Sequence, residues 1–142
     1  MASDILAHYV LEGDRIGMKG QRILIVEDER DAVEMYRIVL EVEGYQVAVA
    51  YTLPTAIKEL EKGKPDLIIL DVALRGTSGL DLCQKVRSDP EMADLPIVIV
   101  SNLGTPEDVA AGLAAGANAY LTKPISQDEL LEAVQQGLRR EG

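Results

Sequence analysis

Short apolar blocks recur along the chain, each closed by polar or turn-forming residues. Ile23–Val26, Leu67–Leu70 and Ile97–Val100 are each four apolar residues in a row. Such runs are too short for helices and read as strands buried on both faces of a parallel sheet. Gln46–Tyr51 alternates instead, with Val47 and Val49 on one face, and Ala119–Leu121 is a fifth, shorter strand. Between these blocks the spacing turns helical. Across Glu29–Glu43, Ala32, Tyr36, Val39 and Leu40 share a face, and Gly44 stops the helix. Thr52 caps Leu53–Lys62, with Pro54 in the first turn, Ile57 and Leu60 inward and Gly63 as the stop. A helix from Ser78 to about Ser88 turns Leu82 and Val86 inward, and a polar loop runs from Asp89–Pro90 to Pro96. Thr105–Pro106–Glu107–Asp108 is a strong helix start, with acids near the positive end of the dipole. Gly116 ends that helix. Ser126 with Glu129 forms a capping box for a last helix that buries Leu130, Val134 and Leu138.

Five strands alternating with five helices through short connections give a parallel, doubly wound α/β sheet. The first 20 residues precede this pattern. Ser3 caps a short helix there, with Ile5, Leu6, Tyr9 and Val10 as its apolar stripe and Gly13 as its stop. This extension, 1–20, is either a linker from a longer chain or a helix that packs on the domain or on a second copy, making a homodimer. The domain itself is expected over 21–140.

Composition narrows the function. The chain has 142 residues, 47% hydrophobic and 27% charged, which fits one soluble domain with a real core. No apolar run approaches the roughly 20 residues of a membrane span, and the N-terminus lacks the basic and apolar regions of a secretory signal. The expected location is the cytoplasm. A net charge of −10, scattered basic residues and the lack of Trp and Phe argue against direct nucleic-acid binding. Cys83 is the one cysteine and His8 the one histidine, so neither an internal disulfide nor a Cys/His zinc site can be assembled. Cys83, among Leu80, Leu82 and Val86, reads as a small buried hydrophobe. A Ser-His-Asp triad would have to recruit His8 from outside the domain. The small-residue stretch Ala110–Ala115 is not a phosphate loop, because it lacks the Gly-Lys-Ser/Thr ending and follows a helix cap.

In an open α/β sheet the carboxyl ends of the strands face the ligand crevice. Those ends carry Glu27–Asp28–Glu29, Asp71, Ser101 and Thr122–Lys123–Pro124. Each has an ordinary reading: Asp71 or Ser101 as a helix or strand-end cap, Lys123 as surface decoration. The ordered set, from Gln21 to Arg140, resembles the receiver domain of two-component response regulators, in which an aspartate accepts a phosphoryl group from a histidine kinase. The resemblance implies the flavodoxin-like strand order 2-1-3-4-5, with its switch point between the strands that end in Glu27–Asp28 and Asp71.

It also implies roles, residue by residue. Asp71 is the phosphoacceptor. Crowded carboxylates repel unless a cation sits among them, and an all-oxygen cluster suits Mg²⁺. Asp28, Asp71 and the Ala73 backbone carbonyl would bind the ion directly, and Glu27, where Asp is usual, through water. Lys123 would pair with the phosphoryl oxygens, with a cis Lys123–Pro124 bond. Ser101 and Tyr120 match the switch hydroxyl and switch aromatic. The departures are Arg75, where Pro is usual, and Asn102, where a small residue is usual. The implied partners are a histidine kinase or His-phosphotransfer protein and a downstream protein not identified by the sequence. The chain would catalyse only its own phosphorylation and dephosphorylation. Two other classes compete. One is an interaction module that keeps the fold and works without phosphate. The other is a metal-dependent phosphohydrolase with an Asp nucleophile. Such enzymes carry a second acid two residues on, where this chain has Ala73, and a cap insertion that it lacks.

Overall fold

In a computed structural model of the protein, the described residues are 20–141. The helix expected within 1–20 lies outside them. Five strands, β1 (Arg22–Val26), β2 (Gln46–Ala50), β3 (Leu67–Leu70), β4 (Ile97–Ser101) and β5 (Ala119–Thr122), form one parallel sheet in the order β2-β1-β3-β4-β5. Five helices alternate with them: α1 (Arg30–Val42), α2 (Leu53–Lys62), α3 (Leu80–Ser88), α4 (Pro106–Ala114) and α5 (Gln127–Glu141). The expected doubly wound, flavodoxin-like α/β fold is thus present.

The central strands explain themselves. Residues alternate between the two faces of a strand, and both faces here are covered. Ile23, Ile25, Leu67, Ile69, Val98 and Val100 pack with Tyr36, Leu40, Leu130 and Val134 from α1 and α5. Leu24, Val26, Ile68, Leu70, Ile97 and Ile99 pack with Ala56 and Leu60 from α2 and Leu82, Cys83 and Val86 from α3. Cys83 is fully buried, and burial pushes its thiol up to about 11, which keeps it unreactive.

The helix starts follow their local chemistry. Thr52 with Thr55, Thr105 with Asp108 and Ser126 with Glu129 each form reciprocal caps. Gly116 takes φ +114 just past α4, a backbone state that favours glycine. Two faces differ in detail from the expected ones. Val33, not Ala32, is fully buried in α1, and Ala56 is buried in α2 while Ile57 is half-buried. Val33 stands three and seven residues before Tyr36 and Leu40, which places it at the centre of the apolar stripe. Helix α3 starts at Leu80 rather than Ser78, because the Ser78 hydroxyl accepts the Leu80 N–H at 3.2 Å.

Register sets up the functional edge. Val26 pairs with Leu70 and Ala50, and Ser101 pairs with Thr122. The hydrogen-bond ladder continues one residue past three strands. Glu27 N–H reaches Ala50 O (3.1 Å), Asp71 N–H reaches Val26 O (2.9 Å) and Lys123 N–H reaches Ser101 O (2.9 Å). The backbones that carry Glu27, Asp71 and Lys123 are therefore extensions of the sheet rather than free loops.

Candidate functional site

A cleft of about 240 Å³ lies at this edge. It is lined by four acids, Glu27, Asp28, Glu29 and Asp71, and by two cations, Arg75 and Lys123. Larger clefts exist, one of about 530 Å³ between α2 and α3, but its mixed lysines and acids sit by the loops that follow those helices, away from the strand carboxyl ends.

Glu27 and Asp71 are buried, 1% and 6% exposed. Lys123 reaches between them. Its Nζ lies 2.9 Å from Glu27 Oε1, 3.1 Å from Asp71 Oδ2 and 3.6 Å from Glu29 Oε1. The remaining oxygens are also engaged: Glu27 Oε2 accepts the Glu29 N–H (3.0 Å) and Asp71 Oδ1 accepts the Ala73 N–H (2.8 Å). Glu27, Asp28 and Asp71 each offer an oxygen within 4.8 Å of the others, a hard, all-oxygen donor set that suits a small divalent cation such as Mg²⁺.

Electrostatics follow from burial and pairing. Burial raises the Glu27 carboxyl above the usual carboxylate range, against the pull of Lys123 and the Glu29 N–H. Burial alone would lower the Lys123 ammonium, but its hydrogen bonds to Glu27 and Asp71 outweigh that and hold it well above the usual lysine range. Lys123 is therefore a fixed positive charge at neutral pH. The Lys123–Pro124 peptide is cis.

Ser101 is fully buried at the end of β4, and its hydroxyl accepts the Leu103 N–H at 3.2 Å. Tyr120, on the neighbouring strand β5, is half-buried and donates its hydroxyl to the Leu103 carbonyl. Burial raises the Tyr120 phenol, with the Ser101 hydroxyl pulling the other way. Every site residue expected from the sequence thus lies at this one edge: Glu27, Asp28, Asp71, Ala73 and Lys123 around the cleft, Ser101 and Tyr120 on the two strands beside it.

Three features were not anticipated. A Cβ on Gly79 would lie 2.7 Å from the Asp71 carbonyl oxygen, so a glycine is what lets α3 approach the strand end that carries Asp71. A Cβ on Gly112 would lie 2.7 Å from the Tyr120 ring, so α4 leaves room for that ring. Arg75 donates its backbone N–H to Asp28 Oδ2 (3.1 Å). An isolated glycine inside a helical pattern is a faint sequence signal of close packing, but nothing local named the partners.

Comparison with known proteins agrees with the fold and with the family that the sequence resembles. The model of the response regulator receiver domain family matches residues 23–135. The phosphate regulon transcriptional regulatory protein PhoB of Pseudomonas aeruginosa is 39% identical over 125 residues, covering 88% of this chain and 55% of that protein. The crystal structure of a two-component response regulator from Clostridium difficile is 30% identical with a TM-score of 0.79, covering 86% of this chain and 98% of that one. The signal receiver domain of a signal transduction histidine kinase from Syntrophus aciditrophicus is 32% identical with a TM-score of 0.78, covering 85% and 92%. The chain spans about half the length of the curated relatives it matches. Some of those relatives are named as transcriptional regulators, so the expectation of no nucleic-acid partner, drawn from charge, has no support from them. Charge describes the receiver segment and says nothing of what lies in the other half of such proteins. With a family model over most of its length and buried carboxylates beside a lysine at the matching strand ends, the chain belongs to the response regulator receiver domain family of two-component signalling.

Proposed function

We propose that residues 21–140 form a receiver domain that accepts a phosphoryl group on Asp71 from a histidine kinase or His-phosphotransfer protein. The observation that carries this reading is the buried Asp71 carboxylate with Lys123 Nζ 3.1 Å from one oxygen and the Ala73 N–H on the other. An Asp71 oxygen attacks phosphorus, the new O–P bond forms, and the P–N bond of the donor breaks. The donor imidazole leaves with that electron pair and takes up a proton. Mg²⁺, held by Asp28, Asp71 and the Ala73 carbonyl with Glu27 through water, would neutralise phosphoryl charge during transfer.

The chain's own groups do the rest. Two backbone contacts hold Asp71: its N–H on Val26 and the Ala73 N–H on its carboxylate. Lys123 is a compact charge already beside the attacking group, able to follow the phosphoryl oxygens onto it. Ser101 and Tyr120 form the switch. Both now engage Leu103; the Ser101 hydroxyl accepts the Leu103 N–H, so its O–H is available to donate to a phosphoryl oxygen, and rotation toward that charged acceptor turns its lone pairs away from the Leu103 N–H. Redirecting Ser101 frees the Leu103 loop and lets Tyr120 move, changing the surface that a downstream protein or a second copy reads. No described helix is long and apolar enough to cross a membrane, and we place the domain in the cytoplasm, with 1–20 as an extension to it.

Incubation with a small phosphodonor and Mg²⁺, followed by intact mass, tests this. The parent should gain one phosphoryl group and Asp71→Asn should not. Asp66→Asn should label like the parent, because Asp66 accepts the Arg22 N–H (2.7 Å) at the opposite end of the sheet. Labelling of Asp71→Asn would refute the assignment. No labelling of the parent would favour the interaction module that works without phosphate.

A further inference from the structure

Arg75 sits in the loop between β3 and α3, four residues past Asp71. Its N–H donates to Asp28 Oδ2 at 3.1 Å, and its Nε lies 3.8 Å from the same oxygen. The contact joins residues 47 apart in sequence and spans the mouth of the acidic cleft. Among the described residues, Arg75 supplies every hydrogen bond and ion pair that the Asp28 side chain makes.

The three acids of the cluster are therefore divided between two cations. Lys123 serves Glu27 and Asp71, and Arg75 serves Asp28. The two cations are held very differently. The Lys123 side chain is 12% exposed and touches three carboxylates, whereas the Arg75 side chain is 95% exposed and meets one. A divalent cation that takes Asp28 as a ligand meets the guanidinium at that carboxylate. Like charges repel at such distances, and Arg75 is the partner free to leave. The backbone N–H is different. It carries no net charge and orients the carboxylate, as hydrogen bonds to ligating groups generally do.

We propose that the Arg75 guanidinium is a tethered cation that competes with the divalent metal for Asp28, raising the metal concentration the site needs. Metal binding sends it into solvent, while the Arg75 N–H goes on orienting Asp28. This rests on the reading of Glu27, Asp28 and Asp71 as the metal site. Because the ion pair is exposed, it is weak and screened by salt. Its removal should therefore change metal affinity by about two- to fivefold, not by orders of magnitude.

The test is calorimetric titration of the full chain with MgCl₂, without phosphodonor, at low salt and at about 0.15 M salt. Arg75→Gln removes the charge and keeps the N–H. It should bind Mg²⁺ two- to fivefold more tightly than the parent at low salt, with the difference shrinking at the higher salt. Arg75→Lys, which retains a cation, should stay closer to the parent than Arg75→Gln does. Equal or weaker binding by Arg75→Gln at low salt, in a parent that binds Mg²⁺ and loses affinity on Asp28→Ala, would overturn the proposal and leave the metal site standing. If the parent fails to bind Mg²⁺, or Asp28→Ala binds as well as the parent, the metal-site reading falls and this proposal with it.

Discussion

Gly79→Ala is a change of one methyl group that should be felt in the fold and at the site together. A Cβ at Gly79 would stand 2.7 Å from the Asp71 carbonyl oxygen, 2.8 Å from Val72 Cα and 3.1 Å from Leu70 Cδ1. Carbon atoms pack comfortably at about 3.5–4.0 Å, so something must move by roughly 1 Å. The two nearest atoms are backbone, and no rotamer change relieves them. That backbone is pinned by Asp71 N–H to Val26 O (2.9 Å) and Gly79 N–H to Val72 O (2.9 Å). Overpacking of this kind costs about 1–3 kcal/mol. The dihedrals oppose it slightly: Gly79 sits at φ −65, ψ −16, which alanine adopts freely, so restricting the unfolded chain returns about 0.4–1 kcal/mol. The net is about 1–2 kcal/mol of destabilisation, or a fall in melting temperature of about 3–8 °C for a domain of this size. Urea unfolding followed by far-ultraviolet circular dichroism should show a lower midpoint with an unchanged slope. Phosphodonor labelling of Asp71 should also slow, because the displaced strand end carries it. A midpoint equal to or above the parent's, with labelling at the parental rate, would refute the packing argument.

Two further outcomes are expected. Because burial raises the Glu27 carboxyl in the folded chain, that chain holds the proton more tightly than the unfolded one, so the Glu27 contribution to stability falls as pH rises from the ordinary carboxylate value through the raised one; metal-free Glu27→Gln should therefore gain on the parent as pH rises above the ordinary carboxylate value of about 4, and a difference constant with pH would contradict this. The side chains two past Asp71 and two past Ser101 are Ala73 and Leu103, neither able to orient a hydrolytic water, and Leu103 is 43% exposed; self-dephosphorylation in excess Mg²⁺ should be slow, and Ala73→Asn with Leu103→Glu should speed it about tenfold, so no acceleration in the double variant would count against the argument.

Much of this could be read from the chain because it depends on local rules. Apolar runs that must be buried on both faces could only be central strands, and cap chemistry at Thr52, Thr105 and Ser126 marked helix starts within two residues of where they lie. The site was legible for a related reason: strand ends are sequence-local, and parallel register lines them up. What was hidden depends on contacts between distant segments. The Arg87 guanidinium donates to the carbonyls of Gly116, Ala93 and Leu95 and to Asn118 Oδ1, tying together the loops at the far end of the sheet. In sequence it is one more charge at the end of a helix. Gly112 looked like part of a small-residue stretch, and its purpose appears only against the Tyr120 ring.

The same distinction divides the site itself. Glu27, Asp71 and Lys123 are placed by the ladder, one residue beyond paired strands, and their side chains form a buried ionic cluster. Moving any of them means breaking sheet hydrogen bonds or exposing desolvated charge. Asp28 and Ser101 are placed differently. Asp28 lies one residue past the last ladder contact of β1 and is partnered by an exposed loop residue, Arg75. Ser101 is on a strand, but its hydroxyl is spent on the loop residue Leu103, which also receives Tyr120. The proposed attack would therefore rest on the rigid half, where a misplacement of even 1 Å is costly. The proposed responses to metal and phosphate would rest on the half whose contacts can be exchanged for others at little cost. A receiver that accepts a phosphoryl group and also signals would need both, and this edge of the sheet holds both kinds of contact within one cleft and the strand beside it.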